Sequence, residues 1–142
     1  MRALCIGELD LTQPQRRTSL PTDINRAAIA LIISCLSTLL AVYFDGLDFE
    51  EIGFDDPFTL GINIIWTLII AWIIWDLFRG KDIKLTLVLV GIIMLVSLVW
   101  DIVEIGFGLA QLFYVLELLM FVAAYFFVST KESKSWYLAK NS

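Results

Sequence analysis

The sequence predicts an all-α integral membrane protein, an up-down bundle of four helices with both termini cytoplasmic. Three observations predict it. Of 142 residues, 59% are hydrophobic, and the mean hydropathy is +0.83, well beyond the ~45 to 50% apolar content of a soluble domain. Four apolar runs occupy 27–44, 58–78, 85–100 and 107–128, the third extended to a span of 83–100 by Ile83 and Lys84. Every cation lies outside those four runs or at their margins. A chain this short has too little interior to hide so much apolar surface, so that surface is expected to face lipid.

The leader 1–26 is polar through Thr12–Thr18 and Pro21 and reads as largely disordered, with Thr22 or Asp23 as the cap of the helix that follows. Ala27 opens the first span. No apolar stretch precedes it, and Ala41-Val42-Tyr43 puts a tyrosine where a cleavage site needs a small residue, so the span reads as an uncleaved signal anchor. Crossing ~30 Å of hydrocarbon takes ~20 helical residues. The first, second and fourth runs meet that length, and the third does so with Ile83 and the snorkelling Lys84. Buried strands would be far shorter, and a membrane barrel would alternate strictly, which these runs do not.

The connections 45–57, 79–84 and 101–106 are too short for another domain and make consecutive helices antiparallel neighbours. Orientation follows from charge. Arg2, Arg16, Arg17 and Arg26 precede the first span, Arg79, Lys81 and Lys84 surround the second connection, and Lys131, Lys134 and Lys140 lie in the tail 129–142. The first connection carries only carboxylates, Asp45, Asp48, Glu50, Glu51, Asp55 and Asp56. The positive-inside rule therefore puts both termini and the second connection on the cytoplasmic side of the membrane. Trp72, Trp75 and Trp136 would anchor the cytoplasmic boundary; Tyr43, Phe44 and Trp100 would anchor the outer one.

Composition also removes function classes. A net charge of -5 argues against nucleic-acid partners, and the lack of histidine excludes a histidine triad or a histidine-ligated metal. Cys5 and Cys35 form no redox motif and read as free thiols. The acidic connection lacks the alternating ligands and glycine of a calcium loop and reads as a solvated determinant of topology. Intramembrane proteolysis would need a serine–histidine pair or facing aspartates at depth, so no enzymatic activity and no cofactor is expected.

Three features remain. Ala27, Ala30, Ser34, Ser37 and Ala41 share one face of the first span, and Ala110, Tyr114, Glu117, Phe121 and Ala124 share one face of the fourth. Small residues let helix backbones approach closely in lipid, so these stripes read as packing surfaces within the bundle or for a partner's helix. Glu117 stands at the middle of the fourth span, where an unpaired carboxylate is costly. With no cation at that depth the sequence predicts the protonated acid, bonded to Ser37 or Thr67, either as interhelical glue or as part of a proton or cation path. Asp76 has Arg79 and Lys81 within reach as interfacial counter-charges, and Gly80 stops the helix.

The basic lead-in at Arg26, the Trp-rich second span running into Arg79-Gly80-Lys81, and the tail segment Lys134-Ser135-Trp136-Tyr137 resemble a group of small, uncharacterised four-span bacterial inner-membrane proteins. The likeness covers Asn25 to Tyr137 but lacks a proline beside Arg26. It implies a bacterial inner membrane and no mechanism. Two functions are expected from the residues: a non-enzymatic accessory, immunity or sensor protein acting by lateral helix contacts with a membrane partner, or a homo-oligomeric proton, cation or small-solute transport component using Glu117.

Overall fold

The computed structural model describes residues 20–48 and 57–142, without the side chains of 46–48 and 59. Among them the chain is entirely helical: α1 (Thr22–Asp48), α2 (Pro57–Arg79), α3 (Lys84–Glu104), α4 (Leu109–Val128) and α5 (Lys131–Asn141). The first four are long and apolar enough to cross a membrane. The leader to residue 19 and the acidic stretch 49–56 lie outside the described residues.

The helices overrun the apolar runs. Helix α1 begins at Thr22 rather than 27, so Thr22 and Asp23 belong to its first turn, and Ile24 is fully buried. It continues past Asp45 to Asp48, and α3 passes Trp100 and Asp101 to end at Glu104. Hydropathy marks where hydrocarbon would end, whereas a helix ends where its backbone is broken. For α3 the break is at Gly106, with φ +99, and the last turn is reinforced by the Trp100 indole donating to Glu104 Oε2 at 2.7 Å.

Helices α1 and α4 form the closest pair. They run antiparallel: Phe44 stacks on Phe113 at 5.3 Å near one end, while Ile24, Ala27 and Leu31 share a cluster with Ala124 and Val128 near the other. All five small residues of the α1 stripe are buried, as are Ala110, Glu117, Phe121 and Ala124 of the α4 stripe. The close approach of the two backbones gains dispersion contacts where hydrophobicity would give no preference over lipid. Helix α2 rests on α1 and α3 rests on α4, and beyond their short connection α2 and α3 scarcely meet. The neighbours with most shared surface are therefore first and last in the chain, not consecutive. Connection length fixes the direction of successive helices; the area they share depends on small side chains, which α1 and α4 have in register.

The tail 129–142 is itself mostly helix. The Thr130 hydroxyl accepts from the Ser133 backbone N–H to cap α5, and Tyr137 is buried against the bundle. At its far end the Lys140 ammonium donates to the Phe78 carbonyl, and Asn141 Nδ2 donates to the Gly80 carbonyl at 2.9 Å. These donors satisfy carbonyls that the end of α2 leaves without intrahelical partners.

Candidate functional site

Halfway along α4, Glu117 is 4% exposed and turned into the bundle. Its Oε1 accepts the indole N–H of Trp66 from α2 at 2.8 Å, and the Thr38 hydroxyl of α1, which also donates to the Ser34 carbonyl at 3.2 Å, lies beside it. The partners expected from sequence were Ser37 and Thr67, each one position away in the chain. Both hydroxyls donate instead to their own helix, Ser37 to the Ile33 carbonyl at 2.9 Å and Thr67 to the Asn63 carbonyl at 2.8 Å. A β-hydroxyl can reach the carbonyl four residues back within its own helix. An indole N–H stands too far from its own helix's carbonyls and takes a side-chain acceptor, which for Trp66 is Glu117 on another helix. A tryptophan at mid-span was the available signal.

Between α1, α2, α3 and α4, Glu117 and Trp66 face a cavity of about 300 Å³. Tyr114 stands nearer the end that carries Asp45, and its hydroxyl donates to Asp45 Oδ2 at 3.0 Å. Asp101, Asn63 and Ser97 also line that cavity, and Ile62, Ile93, Met94 and Leu98 supply apolar wall. Among the described residues no Lys or Arg lines it. The structure thus brings together Glu117 and Tyr114 of the expected polar site and leaves Ser37 and Thr67 outside it. Three carboxyl groups stand along its depth with no basic residue among the described residues that line it; protonated, they offer carbonyl acceptors to a guest that donates hydrogen bonds, and ionised, they favour a positive one. The carboxyl groups do not converge: among the described residues no cluster of three could hold a metal ion.

At the opposite end of the bundle, Asp76 Oδ1 meets Lys81 Nζ at 2.9 Å. Arg79, expected to share that carboxylate, lies instead over the Trp75 ring at 5.9 Å. Gly80, with φ +80, turns the chain back so that Lys81, not Arg79, faces α2. A second cavity of about 300 Å³ lies between α3 and α4, around Gly91 and Phe121, and is wholly apolar.

Comparison of the chain with family models, with curated proteins and with solved structures finds no match.

Proposed function

We propose that the chain is a non-enzymatic, multi-pass protein of a bacterial inner membrane that takes a small cation or small solute into the half-membrane cavity headed by Glu117, as a transport component. The observation that carries this reading is the cavity itself: carboxyl groups from α1, α3 and α4, set at successive depths in a largely apolar bundle, with no basic side chain among the described residues that line it. Intramembrane carboxyl groups are costly, and where they line a cavity they favour ion or solute pathways over simple cohesion.

The bilayer setting is supported by the outward apolar surface of α2 and α3, including Leu68, Trp72, Val96 and Val99, each more than half exposed. Orientation with both termini cytoplasmic is supported by the grouping of Arg26, Arg79, Lys81, Lys84 and α5 at one end and of Asp45, Asp101 and Glu104 at the other. The cavity is lined by four helices of a single chain, and this reading invokes no homo-oligomer. A role by lateral helix contacts has less support, because both small-residue stripes are consumed by α1 and α4 against each other. A membrane partner would have to use the outer faces of α2 and α3.

The test is flux. Protein reconstituted in liposomes is expected to dissipate an imposed gradient of protons, inorganic cations or organic ammonium ions, and Glu117→Gln is expected to abolish that flux while the helices and the thermal midpoint are kept. Wild-type flux in the glutamine variant rejects the proposal.

A further inference from the structure

We infer that the guest of the Glu117 cavity is an amphiphilic organic ammonium ion, taken sideways from the bilayer and held with its apolar tail in the seam between α2 and α3. This rests on reading the cavity as a cation site and goes on to name the cation and its route.

The seam is the first observation. Because α2 packs on α1 and α3 on α4, no extensive helix-to-helix contact among the described residues closes the flank between α2 and α3. The residues there face both ways: Phe58 and Ile62 on α2 and Ile93 on α3 line the cavity, yet are 75%, 50% and 57% exposed. A side chain that borders an interior space and is still half exposed marks an opening rather than a wall. In a bilayer that opening meets acyl chains, not water.

The chemistry of the walls is the second. A hydrated inorganic ion would have to shed its water within hydrocarbon to use such a route, and among the described residues no cluster of three carboxylate or other metal-ligating side chains replaces that water. An amphiphile already resident in the membrane has only to move its head inward. The head would find the Glu117 carboxyl at the floor. Trp66 and Tyr114 stand on either hand, with the indole N–H already committed to Glu117 and the phenol to Asp45. Those two aromatics therefore offer ring surface rather than donors, which suits an alkylated ammonium. The tail would lie among Phe58, Ile62 and Ile93 and restore dispersion contacts that the open flank lacks. A volume of about 300 Å³ accepts a trimethylammonium head and the first part of a chain.

The experiment is equilibrium binding to the full chain in nanodiscs of zwitterionic lipid, corrected with protein-free discs. The probes are decyltrimethylammonium, tetramethylammonium and potassium. Decyltrimethylammonium is expected to saturate at one per chain and to bind at least tenfold tighter than tetramethylammonium. Glu117→Gln should weaken it tenfold or more, and Ile93→Trp, which fills the seam from an exposed position, should do the same while keeping the thermal midpoint. Tetramethylammonium or potassium binding as tightly as the decyl compound, or full affinity in Ile93→Trp, overturns the amphiphile and its seam but leaves the cation site standing. If no cation binds the wild-type chain, or Glu117→Gln binds all three unchanged, both this inference and the cation site fall.

Discussion

The indole N–H of Trp66 donates to Oε1 of Glu117 at 2.8 Å and joins two helices, α2 and α4, that share no extensive face. Removing the donor leaves a buried carboxyl oxygen without its cross-helix partner. Interhelical bonds of this kind in bilayers contribute ~0.6 to 1.7 kcal/mol. Trp66→Phe is expected to cost about that much, and Glu117→Gln less, because an amide oxygen still accepts the indole N–H. Unfolding midpoints of the two variants in the same detergent check the order.

Ser34 is fully buried between α1 and α4, and its Oγ has no hydrogen-bond partner among the described residues. Ser34→Ala should therefore be neutral or stabilising, by up to ~1 kcal/mol. Ser34→Leu and Ala124→Leu overfill the same interface, at ~1 to 3 kcal/mol. The loss is expected in the purified chain with nothing else present, as lowered thermal midpoints. A Leu variant that is stable alone and defective only in a complex would show that these positions face a partner.

A Cβ on Gly80 would stand 2.7 Å from Lys140 Cδ, at a φ of +80 that side chains rarely adopt. Gly80→Ala should cost ~1 to 2 kcal/mol for the left-handed backbone alone, and more for the collision. Adding Lys140→Ala should recover the collision part and leave the backbone part, so the two effects are not additive. A double-mutant cycle on thermal midpoints measures this.

Tyr137 on α5 is buried, and its phenol is pushed up from the ordinary tyrosine range first by burial and then by the negative charge of Asp82. The native state thus holds this proton more tightly than the unfolded chain, so the stability linked to it is complete below pH ~10 and is lost as pH rises above that value. The thermal midpoint should hold from pH 7 to 9 and fall beyond ~10. Tyr137→Phe should flatten that fall. At pH 7 it should cost little, since the hydroxyl has no partner among the described residues. An equal alkaline fall in the variant would assign the effect to other groups.

Val103 is 81% exposed at the end of α3 that carries Glu104, and Ser142 follows α5 at the other end of the bundle. With Cys5 and Cys35 replaced by serine, a cysteine at 103 is expected to react with an impermeant maleimide in intact cells, and one at 142 only after lysis. The reverse pattern would invert the proposed orientation.

Particular residues show how far the sequence reaches. Four apolar runs gave the number of long helices, since only backbone pairing within a helix satisfies polar groups over that length of apolar chain. Their ends were less legible: Asp45 and Asp101 mark a change of polarity, but a carboxylate does not break a helix, so α1 and α3 run on. The packing of Ala30, Ser34, Ala41, Ala110 and Ala124 was readable as a face, though not the fact that the two faces meet each other. The fold of 131–141 onto the end of α2 had no strong periodic signal, because it depends on Lys140 and Asn141 reaching carbonyls some sixty positions away.

Residue type and depth alone marked Glu117 as the unusual group, because an acid in the middle of an apolar run is expensive wherever the helix is turned. Its partners were decided only by tertiary structure. Adjacent positions on a helix point ~100° apart, so the difference between Ser37 and Thr38, or between Thr67 and Trp66, is a difference in helix rotation. That rotation is set by how α1 closes on α4 and leaves α2 and α3 apart, and the same choice opens the cavity.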